Sequence, residues 1–167
     1  MRKKGQEEIV GFVLIVLIVS VILLVFLGIF LRKDVSKTAN PEVSQFLDSM
    51  SAITTECSLN AGYSYENYQD LLKDCNEGKL CASGKACDIL KNTTKSLIEA
   101  SWNFSPDSPK KGYKFEVYFT AREETAKQPL INPPLSYISG CTSFIGDERV
   151  FPVSDGSITI LLDLCLN

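Results

Sequence analysis

The chain has 167 residues and a mass of 18.5 kDa, which leaves room for one modest domain and an accessory segment. Its 17 basic and 20 acidic residues give a net charge of −3, so the strong positive charge of a dedicated nucleic-acid-binding protein is absent. The sequence contains no histidine, which excludes Ser-His-Asp and Cys-His catalysis and most zinc and haem sites. We therefore predict no enzyme activity, no cofactor and no metal site.

An apolar run dominates the amino-terminal part of the chain. Residues 9–31 carry no charge and, besides apolar residues, contain only Ser20 and two glycines. As a helix this run would be about 34 Å long, enough to cross a hydrocarbon core of roughly 30 Å. It is longer than the apolar core of a secretory signal peptide, and no Ala-x-Ala cleavage motif follows it. The sequence therefore predicts a transmembrane helix over residues 6–33, with a membrane as partner.

The cysteines decide the predicted orientation of this helix. Basic residues stand on both sides of the apolar run, so the positive-inside rule barely discriminates between the two orientations. All six cysteines lie in the polar region after the run, and an even number of cysteines in such a region indicates an oxidising compartment. We therefore expect a single-pass membrane protein with a cytoplasmic amino terminus and an extracellular carboxyl-terminal domain.

The flank before the apolar run resembles a known processing signal. Basic residues are followed by Gly5, then by Gln6, Glu7 and Glu8, and then by the long aliphatic run. This order resembles the class III signal peptide of type IV pilins, and of archaeal pilins and archaellins in particular. In that family a prepilin-type peptidase cuts after the glycine on the cytoplasmic side, and the apolar helix becomes the packed core of a filament. The resemblance implies cleavage between Gly5 and Gln6.

The resemblance covers residues 1–31 and departs from the bacterial pattern at one position. Bacterial pilins carry a glutamate at the fifth mature position, where this chain has Val10. Pairing with the amino group of a neighbouring subunit would therefore fall to Glu7 or Glu8, which would offset part of the cost of burying both charges. The partners implied are the peptidase and other copies or related pilin-like subunits.

Three helices are predicted after the apolar run. Asn40-Pro41 indicates a helix cap followed by proline in the first turn. Apolar residues at helical spacing then predict an amphipathic helix that ends near Glu56. Further helices are expected over residues 65–74 and 86–102.

The later part of the chain changes to a strand pattern. Apolar and polar residues alternate from Tyr113 to Thr120, which predicts a half-buried strand. A proline-rich loop over 128–134 and short strands over 136–144 and 149–153 follow. Asp155-Gly156 indicates a hairpin that leads into a last strand over residues 157–166.

The order of these elements predicts an α+β fold, with a long transmembrane helix followed by a small disulfide-stabilised outer domain in which helices come first and an antiparallel sheet last. We divide the chain into four segments. They are a leader (1–5), a transmembrane or filament-core helix (6–33), a connector with an amphipathic stalk helix (34–56) and an extracytoplasmic cysteine-containing α+β domain (57–167).

The cysteines are expected to form disulfides. The five-residue gaps between Cys75, Cys81 and Cys87 are too wide for paired zinc ligands, and no Cys-x-x-Cys redox motif is present. The predicted disulfide cysteines are Cys57, Cys75, Cys81, Cys87, Cys141 and Cys165. We prefer a pairing of Cys141 with Cys165, which would tie two regions of the sheet, and pairing of the other four among themselves.

Two N-glycosylation sequons occur in the predicted outer domain. They are Asn92-Thr93-Thr94 and Asn103-Phe104-Ser105. Pro106 follows the second and weakens it, so Asn92 is the better predicted acceptor. Its place on the third predicted helix requires a solvent-facing side chain.

The leading hypothesis from these observations is a pilin-like structural subunit, inserted in the membrane as a precursor, cut after Gly5 and assembled through its apolar helix into a surface filament or pseudopilus. The alternative is an uncleaved single-pass membrane protein that displays an extracellular binding domain. The two hypotheses differ in the first residue of the mature chain.

Overall fold

The computed structural model describes residues 13–25, 40–59, 64–105 and 107–167. The chain divides into two compact units, Met1–Ser36 and Lys37–Asn167. Within the first unit, residues 13–25 are helical (α1).

The described part of α1 contradicts the predicted membrane helix. In none of the described segments does a helix combine the length and the apolarity that crossing a membrane requires. For this part of the chain, the predicted transmembrane helix over 6–33 is wrong. Two further predictions depend on that helix and are also wrong. They are the fold class that includes a transmembrane helix, and the location as a single-pass membrane protein with an extracellular domain.

The described residues of the second unit form an α+β fold with three helices, a small hairpin and a larger antiparallel sheet. Its helices are α2 (Pro41–Ser51), α3 (Tyr68–Asn76) and α4 (Ala86–Ser101). The hairpin between α3 and α4 consists of β1 (Leu80–Cys81) and β2 (Gly84–Lys85). The sheet contains β3 (Lys110–Ala121), β4 (Lys127–Pro129), β5 (Leu135–Ile138), β6 (Ser143–Val153) and β7 (Gly156–Leu166).

Asparagine caps determine where α2 and α3 begin. The side chain of Asn40 accepts a hydrogen bond from the backbone N–H of Glu42 at 3.0 Å. The side chain of Asn67 accepts one from the backbone N–H of Asp70 at 2.9 Å. These caps satisfy amide groups that have no partner inside the first turn. Because Asn67 is the cap, α3 begins at Tyr68 and not at residue 65 as predicted.

Helix α2 ends earlier than its apolar spacing predicts. The backbone N–H of Thr55 donates to the carbonyl of Glu66, and that of Tyr68 donates to the carbonyl of Ile53, both at 2.8 Å. Residues 53–55 therefore take an extended course that pairs them with the segment before α3. This pairing competes with helical hydrogen bonds and ends α2 at Ser51.

Strand β7 lies in the middle of the sheet. The strand order is β4-β3-β7-β6, and β5 also pairs with β3. All of these pairings are antiparallel. A turn that contains Gly140 at a φ of 67° separates β5 from β6, and β6 then continues unbroken across the region where the sequence predicts the end of one strand and the start of another.

One face of the sheet and the three helices enclose the core. On β3 and β7, cross-strand partners such as Phe115 with Leu162 and Val117 with Ile160 are almost completely buried. Burying each such side chain contributes about 1.5–3 kcal/mol. The helices supply the opposing side chains, which are Val43, Leu47, Met50, Leu71, Leu72, Leu90 and Ile98.

All six cysteines form disulfides, which confirms that prediction. The pairs are Cys57–Cys81, Cys75–Cys87 and Cys141–Cys165. The third is the pair preferred from the sequence, and it ties the turn before β6 to β7. The second joins α3 to α4.

Candidate functional site

Helix α1 exposes apolar side chains along its whole described length. Its twelve large apolar residues each expose between 48% and 67% of their surface. Ser20 is its one polar residue, and its Oγ donates to the carbonyl oxygen of Val16 at 2.8 Å. A helix that is apolar all round is normally covered by other apolar surface. Helix α1 is therefore a candidate assembly surface.

The predicted processing and assembly residues lie outside the described residues. They are Gly5, Gln6, Glu7 and Glu8. Cleavage between Gly5 and Gln6 therefore stays a prediction, as does pairing through either glutamate.

The structure places the two sequons in different surroundings. Asn92 is exposed on α4, as its predicted role requires, but Thr94 is fully buried. The Thr94 hydroxyl donates to the carbonyl of Leu90 at 2.7 Å and lies 2.5 Å from the hydroxyl of Tyr68. The hydroxyl that completes this sequon is thus inaccessible in the folded protein. Asn103 is exposed in the loop that follows α4.

A polar groove lies between the extended segment after α2 and one face of α4. Its volume is about 410 Å³. The lining combines residues 53–56 and Ser83 with the α4 side chains Ile89, Asn92 and Leu97. This mixture of hydroxyl, amide, carboxylate and half-buried aliphatic groups provides hydrogen bonds, and the Ser83 hydroxyl donates to the backbone carbonyl of Glu56 at 3.1 Å, not to a basic side chain.

A second groove, here called the aromatic groove, lies between the end of α4 and β5. One cavity of about 390 Å³ is lined by Glu99, Ala100, Trp102, Asn103, Phe104 and Tyr137. A neighbouring cavity of about 270 Å³ shares Phe104 and Tyr137. Sequence reasoning did not find this groove, because its residues come from a helix end and from a strand that are distant in the chain. No local motif connects them.

Tyr113 links the aromatic groove to the core. Its ring lies 5.2 Å from that of Phe104, centroid to centroid, and its hydroxyl donates to Oε1 of Glu99 at 3.5 Å. Burial, together with the Glu99 carboxylate, raises the pKa of Tyr113 above its ordinary value. The tyrosine therefore stays neutral at physiological pH and acts as a hydrogen-bond donor.

Trp102 connects the aromatic groove to a charged cluster formed with Glu42 and Lys110. Glu42 accepts hydrogen bonds from Trp102 Nε1 at 2.7 Å and from Lys110 Nζ. These two donors, Lys110 first, hold the pKa of Glu42 below its ordinary value. Lys110 also lies 5.5 Å above the Trp102 ring, so this cation–π position is already occupied from within the chain.

Among residues 13–25, 40–59, 64–105 and 107–167, no group of three His, Cys, Asp or Glu side chains could hold a metal ion. Comparisons of the chain with protein-family models, with curated proteins and with solved structures found no match. The functional argument therefore depends on the chain's own residues.

Proposed function

We propose that the chain is a pilin-like structural subunit, which is cut after Gly5 and assembled through its apolar amino-terminal helix into a filament or pseudopilus. The observation that supports this most is the exposure of α1, whose twelve large apolar side chains are each about half accessible. The resemblance of residues 1–31 to a class III signal peptide supplies the second argument.

The energetics favour covering α1 with other helices. Removing apolar surface from water contributes about 25 cal/mol per Å², and α1 carries no charge whose burial would oppose this. Its single hydroxyl is satisfied by Val16 within the helix, so burial leaves no unpaired polar group. The same helix in other copies of the chain provides a surface of matching chemistry.

Processing would prepare this helix for assembly. Removal of the leader (1–5) by a prepilin-type peptidase creates a new amino group at Gln6. Glu7 or Glu8 of a neighbouring copy can pair with that amino group, which offsets part of the cost of burying both charges.

Processing is tested by the intact mass and amino-terminal sequence of the chain purified from its own cells. We expect a start at Gln6. Gly5→Leu should leave the chain uncut, because glycine's lack of a Cβ allows the extended backbone to enter a protease cleft. A start at Met1 or Arg2 in the wild-type protein, or normal processing of Gly5→Leu, would contradict the proposal.

Assembly is tested by a matched pair of substitutions in the full chain. Leu17 in α1 is 61% exposed, and Leu80 in β1 is 68% exposed. Leu17→Glu should abolish filaments in electron micrographs and in sedimentation, because it places a charge in a surface that must be buried. Leu80→Glu should leave assembly unchanged. Filaments formed equally well by both variants would exclude assembly through α1.

A further inference from the structure

We propose that the aromatic groove is a binding site for a neutral saccharide. This inference concerns the second unit and does not depend on whether α1 assembles into a filament. It is derived from one exposed aromatic ring, the polar groups that surround that ring and the charges nearby.

Tyr137 provides a stacking surface that is held in position. It is 50% exposed, yet its backbone pairs with Tyr113 in the β5–β3 register. Phe104 supports one side of it, with ring centroids 6.2 Å apart. A sugar ring presents a face of C–H groups, and a half-exposed aromatic ring on a hydrogen-bonded strand can cover that face with little loss of conformational freedom.

Polar groups line both cavities beside Tyr137. Asn103 and Glu99 line the first cavity, and Ser105 and Ser139 line the second. The contacts of the Glu99 carboxylate with Tyr113 and Lys95 both involve Oε1, so Oε2 can accept a hydrogen bond from a ligand. Amide, carboxylate and hydroxyl groups around a ring surface suit the many hydroxyls of a saccharide.

The geometry disfavours a flat aromatic ligand that is sandwiched between two rings. The rings of Tyr137 and Phe104 are tilted by 50° to each other. A planar ligand held between two rings requires nearly parallel faces. The groove therefore offers one stacking face and not a slot.

The charges near the groove are of both signs. Lys95 lies 3.9 Å from Glu99, and Lys111 lines the second cavity. These charges give neither a cation nor an anion a field of one sign to bind to. A hydroxyl group can donate to a carboxylate and accept from an ammonium group, so a neutral ligand with many hydroxyls suits this mixture, and this favours a saccharide.

The test uses the full chain with its disulfides intact. Neutral oligosaccharides are screened on a glycan array, and each oligosaccharide that binds is titrated in solution. Trp102 is the only tryptophan of the chain and lines the groove, so its fluorescence reports occupancy directly. We expect at least one neutral oligosaccharide to bind and to change the emission of Trp102.

Substitutions distinguish this groove from other surfaces. Tyr137→Ala should weaken binding at least tenfold, whereas Tyr137→Phe should retain it because the stacking face remains. Tyr65→Ala, at a tyrosine that is 59% exposed elsewhere, is the matched control and should bind as the wild type. Asn103→Ala should also weaken binding. Because Asn103 lies in an exposed loop, this variant tests the proposal if Tyr137→Ala folds poorly.

Several outcomes would overturn the proposal. One is that no neutral oligosaccharide binds at ligand concentrations up to about 10 mM, which exceeds the dissociation constant of most specific complexes. Another is saccharide binding that persists in both Tyr137→Ala and Asn103→Ala, which would place the ligand elsewhere. Binding of only charged ligands, or of peptides without saccharides, would assign the groove a different ligand class.

Discussion

Glu42 and Trp102 are 60 positions apart in the sequence, and a hydrogen bond of 2.7 Å joins the indole Nε1 to the Glu42 carboxylate. The same carboxylate oxygen accepts from Lys110, and Phe46 packs against the Trp102 ring with centroids 4.5 Å apart. Glu42 in the first turn of α2 thus holds together the end of α4 and the start of β3.

Replacing Glu42 should make this junction weaker and less sensitive to pH. Its pKa lies below the ordinary value of 4.5. Its stabilising contribution is therefore complete above that value and is lost as the pH falls through the lower pKa of the folded state. Glu42→Gln should lower the free energy of unfolding at neutral pH by less than about 1 kcal/mol, since half of the side chain is exposed. Denaturant unfolding at neutral and acidic pH measures this difference.

The control for this experiment is Glu124→Gln, at an exposed carboxylate in the turn after β3. The gap in stability between wild type and Glu42→Gln should close on acidification, and the control should show no comparable change. A gap that stays constant across the acidic range would contradict the assigned role of Glu42.

The hydroxyls of the buried residues Tyr68 and Thr94 should contribute to stability as a coupled pair, so that the effects of removing each are not additive. Both residues are fully buried, and burial raises the pKa of Tyr68, so its hydroxyl stays protonated. Thr94→Val leaves that hydroxyl without its side-chain partner and should cost about 1–3 kcal/mol. Adding Tyr68→Phe should recover part of the loss. A double-mutant cycle by denaturant unfolding tests this, and strictly additive effects would show that the two hydroxyls do not interact.

Removing the Cys141–Cys165 disulfide should destabilise the fold through the entropy of the unfolded chain. The two cysteines are 24 positions apart, and closing a loop of that size stabilises the fold by about 3.5 kcal/mol. The comparison variant lacks Cys75–Cys87, which are 12 positions apart and should contribute about 0.6 kcal/mol less on loop entropy alone. Unfolding of both double-serine variants measures the difference. A much smaller loss for Cys141–Cys165 would show that β7 holds the turn without the crosslink.

A side chain at position 112 should displace β5. A Cβ at Gly112 would overlap the backbone carbonyl of Tyr137, and backbone atoms cannot move aside as a flexible side chain can. Gly112→Ala should therefore cost about 1–3 kcal/mol and expose the amides of residues 135–138. Hydrogen exchange detects this change, and Lys114→Ala on the same strand is the control. Unchanged protection of β5 in Gly112→Ala would contradict the close approach.

Local sequence patterns identified the helices and strands that have one face against the core and the other in solvent. The alternation along β3 was readable because one face meets the core and the other meets solvent. The predicted strands over 136–144 and 149–153 leave out the middle of β6, which contains Asp147 and Glu148. Arg149 donates to Ser44 and to Asp48 of α2 at 2.9 and 2.6 Å, which makes a charge acceptable beside the helix. Such a partner, a hundred positions away, has no local signature.

Helix α1 could be found from the sequence, whereas the aromatic groove could not. The apolar character of α1 is visible in the sequence, but hydropathy indicates only that a segment avoids water and not what covers it. The inference from hydropathy to a membrane span was wrong, since no helix among the described residues has the length and apolarity that such a span requires. The aromatic groove depends on the packing of the α4 end against β5, which single-sequence patterns do not contain.

The central position of β7 has a consequence for biosynthesis. Residues 156–166 pair with both β3 and β6, yet they follow both strands in the chain. The ribosome therefore synthesises β3 and β6 before β7, the strand that lies between them. Until β7 has been synthesised, β3 lacks the strand with which it forms most of its pairs. The long-range pairing can close only once β7 has emerged, which favours late and slow folding of the sheet. A chaperone that shields β3 during that interval would protect the nascent chain from aggregation.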